Sequence, residues 1–251
     1  MKNTQQKHYL TASLAVAALT CFSTAQAQRT NTWTGGSGNE HWFGAANWDM
    51  SSLQDFDDLV FTGTTRLNHK SWSNLDGTDN DFDINSITFD NAAGAFVINK
   101  GDGDGGGGTI KLHGDITNDS TNLQTLNFPI QLNTDVTANT ASGDITIGGV
   151  ISEDGTARSL IKSGSNTLSL TGANTYTGTT DINAGRLQLG DGGTTGSLST
   201  SSAIDIASGA AFIVNRTDTV TQGTDFSSAA ITGAGTIAHH GTGTLILDRA
   251  N

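Results

Sequence analysis

The chain has 251 residues, with 24 acidic and 12 basic side chains and a formal net charge of −12 at pH 7. This acidic balance excludes the basic surface that nucleic acids and anionic lipids require, so we expect neither as a partner. The 32 glycines, the single proline and the preference for aspartate over glutamate are typical of short strands joined by tight turns.

Residues 1–27 have the features of a secretory signal peptide. Lys2 and Lys7 give a positive start, an apolar stretch follows at 10–22, and Ala25-Gln26-Ala27 is a cleavage signature. The apolar stretch is shorter than the roughly 18 residues that a membrane span needs, so cleavage is favoured over an uncleaved anchor. The sequence therefore predicts an exported protein.

Cleavage would leave 224 residues with a net charge of −14 and without Cys21, the only cysteine. The mature chain then has no disulfide, and its stability must come from packing and hydrogen bonds. We divide it into an N-terminal Trp-rich cap segment at 28–80 and a repetitive β-structure at 81–251.

The four tryptophans all lie in the cap segment: Trp33, Trp42, Trp48 and Trp72. One interpretation is a hydrophobic cap that closes the open end of a stack of repeats, because terminal repeats must differ from internal ones. The alternative is a set of glycan-contact aromatics, since indole rings offer flat apolar faces to sugars.

Acidic residues are concentrated in two loops, at Asp76, Asp79, Asp81, Asp83, Asp102 and Asp104. Neither loop has the spacing of a calcium-binding loop, and neither recurs as a calcium-binding repeat would. We interpret them as solvated loop acids and expect no metal or other cofactor.

A strand pattern of apolar, polar and apolar residues recurs along the chain at Ile110-Lys111-Leu112, Ile130-Gln131-Leu132, Ile145-Thr146-Ile147, Leu168-Ser169-Leu170, Leu187-Gln188-Leu189 and Ile204-Asp205-Ile206. Successive side chains of a strand point to opposite faces, so each triplet turns two apolar groups inward. Units this poor in apolar residues must stack to bury them. We predict a parallel β-solenoid of about 20 to 25 residues per turn and about 9 to 11 turns, with a two-sheet sandwich as the alternative.

The chain also contains an internal repeat. Residues 159–174 and 236–251 align at an offset of 77, with Gly164 on Gly241 and Leu168 on Leu245. The second copy begins near residue 233 and is partial.

Residues 160–189 carry the most specific pattern. It opens as Leu-x-Lys-x-Gly, continues through Gly172-Ala173-Asn174-Thr175-Tyr176-Thr177-Gly178 and closes with Ala184-Gly185 and Leu187-Gln188-Leu189-Gly190. This pattern resembles the autotransporter-associated β-strand repeat, also called the passenger-associated transport repeat. The Trp-Thr-Gly-Gly and Ala-Asn-Trp-Asp segments near the start resemble the opening of large exported proteins that carry such repeats.

The resemblance implies a right-handed β-helix passenger at the surface of a Gram-negative type of cell, and assistance in moving a passenger across the outer membrane. It implies no catalytic residues. Such autotransporters end in a membrane β-barrel of eight or more strands, which no segment of this sequence predicts. We therefore expect no membrane insertion by this chain itself, and a fragment of a longer protein or a truncated product.

Two enzymatic or metal-binding arrangements are weaker alternatives. Adjacent residues such as His239 and His240 point to opposite faces of a strand and cannot easily share one ion. A polysaccharide lyase site would need carboxylates and a base on one face, and its candidates are Asp181, Asp205, Asp225, Arg186 and Arg216. We interpret these aspartates as turn acids and expect no enzymatic activity.

The sequence thus predicts an exported, non-catalytic structural or adhesive passenger segment. Its expected partners are surface glycans or the surfaces of host or neighbouring cells. A carbohydrate-binding module and a lyase-like β-helix enzyme are the two alternatives.

Overall fold

The computed structural model describes residues 28–42, 44, 46–50, 52–70, 81–101 and 108–251. The predicted signal peptide lies outside these residues. Within them the chain forms 22 strands and no helix. The paired strands run parallel, so the predicted all-β solenoid is confirmed and the antiparallel sandwich is wrong. Among the residues described, no helix is long and apolar enough to cross a membrane.

The coil has three faces. The first contains β1 (Thr30–Trp33), β2 (Asp57–Phe61), the second half of β4 (Phe82–Phe89), β7 (Ile116–Asn118), β10 (Val136–Asn139), β13 (Leu160–Ser163), β15 (Thr180–Ile182), β17 (Ile204–Ile206) and β20 (Thr232–Gly233). The second contains β3 (Asn68–Lys70), β5 (Val97–Asn99), β8 (Gln124–Asn127), β11 (Ile145–Ile147), β14 (Thr167–Leu170), β16 (Arg186–Leu189), β18 (Ala211–Val214) and β21 (Thr236–His239).

The third face is less regular. It begins with the first half of β4, β6 (Ile110–Leu112), β9 (Ile130–Leu132) and β12 (Ile151–Glu153), and it ends with β19 (Thr219–Thr221) paired to β22 (Thr244–Ile246). Because β4 runs through the corner between the third and first faces, the strands of those faces join in one sheet of 12 strands.

The second face shows how many turns the coil has. Among the described residues its sheet contains eight strands, one per turn, and the first face has one more at its N-terminal end, so the coil has about eight turns, fewer than the predicted 9 to 11. Turn length varies from 19 residues between Leu168 and Leu187 to 29 between His69 and Ile98. Long loops in the early turns therefore account for the smaller number. The right-handed sense stays a prediction, since strand pairing is the same for either hand.

The core is a set of apolar rows that run along the coil. In one row Ile145, Leu168, Leu187 and Phe212 occupy equivalent positions in four successive turns. The apolar side chains of all six predicted triplets are buried, and so is Ile182. Alternation along each strand thus explains the core.

The two repeat copies share a local structure but not a face. Residues 159–174 supply β13 on the first face and β14 on the second. Residues 236–251 supply β21 on the second face and β22 on the third. The same strand-turn-strand unit therefore fits at different corners of the coil, because each corner joins two similar strands.

Candidate functional site

The repeat pattern at 160–189 builds parts of two successive turns. Its strands pair in register, with Leu168 opposite Leu187 and Leu170 opposite Leu189 on the second face. On the first face Lys162 lies opposite Ile182. The spacing of the pattern thus places its apolar side chains in rows along the coil and several of its polar residues at the corners.

Lys162 is a buried cation beneath the corner between the first and second faces. Its side chain has no exposed surface, and its Nζ donates to the carbonyl oxygens of Ser163, Gly164 and Ala184 at 2.6, 2.8 and 2.9 Å. Ala184 belongs to the next turn. Burial lowers the pKa of Lys162 to about 8, against the opposing charge of Asp144. The ammonium therefore joins two turns and is still protonated at pH 7.

Asn174 connects three turns at another corner. Its Oδ1 accepts from the backbone N–H of Ile151 at 2.9 Å, and its Nδ2 donates to the carbonyl oxygens of Gly172 and Ser197 at 3.1 and 2.9 Å. Ile151 lies one turn before Asn174 and Ser197 one turn after it. These bonds satisfy backbone groups where the strands are interrupted.

Tyr176 anchors a buried chain of hydroxyl groups. Its ring is buried, its OH lies 2.7 Å from Thr180 Oγ1, and Thr180 Oγ1 lies 2.9 Å from Ser202 Oγ. Ser202 in turn donates to the carbonyl oxygen of Gly178 at 2.7 Å. A Cβ at Gly178 would lie 2.2 Å from the backbone carbonyl of Arg158, so this close approach requires glycine. Burial raises the pKa of Tyr176, which keeps the phenol neutral.

Glu153 forms a surface clamp between two turns. It accepts hydrogen bonds from the backbone N–H and the hydroxyl of Thr177 at 2.9 and 2.6 Å, and from the backbone N–H of Arg158 at 3.0 Å. Desolvation opposes ionisation, but these bonds outweigh it and hold the pKa of Glu153 below its ordinary value. A carboxylate that is ionised and fully engaged in this way is suited to holding a loop rather than to transferring protons.

The structure does not assemble the arrangement expected of a lyase. Asp181 and Asp205 are neighbours in register on the first face, but the next position is Thr232. Asp225 instead lies 3.1 Å from Arg216. Asp225 therefore does not align with Asp181 and Asp205 as the lyase alternative would require, because the loop after β19 lengthens that turn.

The two arginines of that arrangement are also separated. Arg216 is held by Asp218 at 2.6 Å in addition to Asp225. Arg186 opens β16 on the second face, away from the aspartates of the first. Among the residues described, no face brings together two carboxylates and an unpaired base from this set.

The acidic segments are described only in part, and Asp83 lies in strand β4 rather than in the predicted loop. Asp81 lies 3.4 Å from Lys111 and Asp83 lies 2.6 Å from His113. The remaining aspartates, Asp76, Asp79, Asp102 and Asp104, lie outside the described residues. In the described ranges no three His, Cys, Asp or Glu side chains come close enough to hold a metal ion. His239 and His240 are both exposed.

Three of the four tryptophans form a packed aromatic cluster near the N-terminus. Trp33, Trp42 and Trp48 are 1%, 0% and 2% exposed. Trp48 packs edge-on against the other two at ring distances of 5.2 and 6.0 Å, and all three contact Phe61. This burial supports the cap interpretation. A glycan contact at these rings stays a prediction, and Trp72 lies outside the described residues.

Sequence reasoning missed the roles of Lys162 and of the hydroxyl chain. Lys162 has the same strand parity as the buried Leu160, and this parity is the signal that would have predicted its burial. The Thr180–Ser202 contact joins residues 22 positions apart, so it required the turn length to be known.

The comparisons with known proteins agree with this geometry. The passenger-associated transport repeat model matches residues 160–189. The adhesin BmaC autotransporter of Brucella suis biovar 1 (strain 1330) is 46% identical over 89 residues, which are 35% of this chain. The matched segment spans only 2% of that relative. No solved structure matches the chain.

The repeat match covers parts of the two turns that Lys162 joins, and the parallel strands continue the same stacking along the coil. Residues 160–189 therefore match the passenger-associated transport repeat, and about a third of the chain is similar to a small part of an autotransporter adhesin.

Proposed function

We propose that the chain is a rigid, non-catalytic and adhesive segment of a surface passenger. The observation that carries this proposal is the polar exterior of the coil. On the second face Thr125, Thr146, Ser169 and Gln188 stack outward in register over four turns. On the third face Lys111, Gln131 and Ser152 do the same.

Such rows make flat, hydrated surfaces that are held rigid from turn to turn. Eight turns at about 4.8 Å each give a stacked length of roughly 40 Å. A flat surface of this kind is suited to contact with another broad surface. Binding and conversion of a small substrate would instead require a concave pocket. The similar protein is named an adhesin, which supports an adhesive role.

Assistance in secretion is a second part of the proposal. Each turn hydrogen-bonds to its neighbours, so the 160–189 turns provide a template on which an emerging chain can add further turns. A stable folded block outside the membrane would oppose backward movement of the chain.

The adhesive role is tested by coating beads with the purified chain and counting attachment to cultured mammalian cells and to bacterial cells. We expect attachment above that of beads coated with an unrelated protein of similar charge. Attachment equal to that control on every surface would contradict the proposal. Cleavage of a supplied acidic polysaccharide, by hydrolysis or by elimination to unsaturated sugars, would contradict its non-catalytic part.

A further inference from the structure

The corner between the first and second faces contains a hollow that is rich in hydrogen-bond donors. It has a volume of about 430 Å³ and is lined by the corner segments of three successive turns, at 164–165, 183–186 and 208–209 with Ala211. We propose that this hollow binds an acidic sugar, such as a uronic or sialic acid, through the carboxylate of that sugar. The site deepens the adhesive function proposed above and rests on it.

Glycines in each of the three turns keep this corner free of side chains. Gly164, Gly185 and Gly209 have φ angles of +77°, +65° and +83°, a left-handed conformation that residues with a side chain rarely adopt. A Cβ at Gly185 would lie 2.5 Å from the carbonyl oxygens of Gly164 and Asn166, so this position requires glycine. The backbone therefore turns tightly here without side chains that would fill the hollow.

Arg186 lines the hollow with a guanidinium group that no other residue engages. Its side chain is exposed, and within the described residues it has neither a hydrogen bond nor an ion pair. Every other arginine of the chain bonds a carboxylate or a backbone carbonyl, namely Arg29, Arg66, Arg158, Arg216 and Arg249. A guanidinium binds a carboxylate through two parallel hydrogen bonds, so Arg186 is suited to hold the acid group of the sugar.

Lys162 adds a second positive charge beneath the hollow. Its Nζ donates to the carbonyl oxygens of Gly164 and Ala184 at 2.8 and 2.9 Å, and both of these residues line the hollow. The opposing carboxylate is that of Asp144, whose Oδ1 accepts from the backbone N–H of Thr167 at 2.7 Å. Because two cations face one carboxylate, the local charge is positive in a chain whose net charge is −12.

The rest of the lining supplies neutral donors. Its polar side chains are one amide and two hydroxyl groups, those of Asn183, Ser165 and Ser208. In the described part of the chain, the backbone N–H groups of Ala184 and Gly185 have no acceptor. The described residues that line this hollow include no Asp or Glu, whereas two other hollows of the coil include Asp55 or Asp225. The hollow at this corner is therefore the one suited to an anion.

The size of the hollow and the chemistry of its lining fit a monosaccharide. A volume of about 430 Å³ falls within the roughly 300 to 1,000 Å³ range of small-molecule sites. Hydroxyl and amide groups can bond the hydroxyls of a sugar whose carboxylate pairs with Arg186. A long polyanion would meet repulsion from the negative net charge of the chain, which favours a sugar with a single acid group.

The test is ligand-observed NMR titration of the full chain with D-glucuronate, N-acetylneuraminate, D-glucose and acetate. We expect at least one of the two sugar acids to bind about tenfold or more tightly than glucose, which lacks the carboxylate, and than acetate, which lacks the sugar. Arg186→Gln should weaken this binding at least about tenfold, because it removes the charged donor. Arg249→Gln is the matched control, since Arg249 is exposed and lies outside the hollow, and it should retain binding.

A second variant tests the hollow with Arg186 intact. Ser208→Asp places a carboxylate at an exposed position of the lining, and it should also weaken binding through repulsion. Because Arg186 and Ser208 are exposed, neither variant should lower the melting temperature, so a loss of binding would not reflect unfolding.

Three outcomes would overturn the inference: neither sugar acid binds better than glucose, acetate binds as tightly as the sugar acids, or Arg186→Gln binds as well as the wild type. If the coated beads still attach to cells in any of these cases, the sugar site is wrong while the adhesive function stands. If attachment is also absent, both are wrong.

Discussion

Single residues that look ordinary in the sequence hold the turns of this protein together. Lys162 is a charged residue at an inward strand position, and it is tolerated there because three carbonyl oxygens surround its ammonium group. Asn174 uses its amide in the same way at a second corner. In both cases a side chain replaces the strand-to-strand hydrogen bonds that a corner interrupts.

Replacing Lys162 by Met should destabilise the protein by about 2 kcal/mol at pH 7, since three buried carbonyls lose a charged donor. The pKa of about 8 gives a second signature. The unfolded lysine keeps its proton up to about pH 10.5, so wild-type stability should rise between pH 8 and 10.5, and the rise should be absent in the variant. Urea unfolding of the wild type and the variant from pH 7 to pH 10.5 measures both the loss of stability and its pH dependence. If stability depended on pH equally in the two proteins, burial would not lower the pKa of Lys162.

His69 should make the stability of the aromatic cluster depend on pH. Its ring stacks on Trp33 at 4.3 Å, and its Nδ1 accepts a hydrogen bond from Trp42 Nε1 at 3.1 Å, which places the proton on Nε2. Nε2 is buried without a hydrogen-bond partner among the described residues. Burial accordingly lowers the pKa of His69 to about 3.

Because the unfolded ring takes up a proton near pH 6.5 and the folded ring only near pH 3, stability should fall as the pH drops through this interval. We expect a loss on the order of 4 kcal/mol attributable to His69. The measurement is the difference in unfolding free energy between wild type and His69→Phe at several pH values. A constant difference from pH 7 to pH 4 would refute the assignment.

At the scale of the strand, the alternation of side chains decides which substitutions the coil tolerates. In β14, Leu168 and Leu170 are buried while Ser169 between them points outward. Leu170 lies between Ile147 of the preceding turn and Leu189 of the following one. A charge at Leu170 would therefore disturb three turns.

Leu170→Asp should cost more than about 4 kcal/mol, because it places an unpaired carboxylate in the apolar row. Ser169→Asp, on the same strand and one position away, should change stability by less than about 1 kcal/mol. Thermal melts of the two variants make the comparison. Equal melting temperatures would contradict the inward and outward assignment.

At the scale of the whole molecule, stability should vary along the coil. Inner strands such as β14 and β16 have a paired strand on each side, whereas β21 and β22 are paired on one side only in the part of the chain that is described. Ile246 and Leu247 are each 42% exposed. The last turn thus has fewer buried contacts than the turns before it.

We expect amide hydrogen exchange to follow this gradient in the 251-residue chain. Amides of β14 and β16 should exchange at least about tenfold more slowly than those of β21 and β22, since terminal turns can open without disrupting the rest. Exchange measured by mass spectrometry on peptides from each turn tests this. Uniform protection would indicate that the coil unfolds only as a single unit.

The strands, their inward residues and the stacking of turns could be predicted from the sequence, because alternation and repeated turn residues are local properties. The resemblance to the passenger-associated transport repeat could likewise be recognised from the sequence, because its pattern lies within the single continuous segment 160–189. The alignment of Asp225 and the number of turns could not be predicted, since both depend on loop lengths that change the register.

Which residues meet across turns became known from the folded coil alone. It placed Ser202 on Thr180, Ala184 on Lys162 and His113 on Phe56, pairs separated by about 20 to 60 positions in the chain. It also buried the rings of Trp33, Trp42 and Trp48 and left that of Phe56 exposed. The physical reason is that the length and path of each turn determine which residues of the next turn lie beside it. That path depends on the whole coil and not on any one segment.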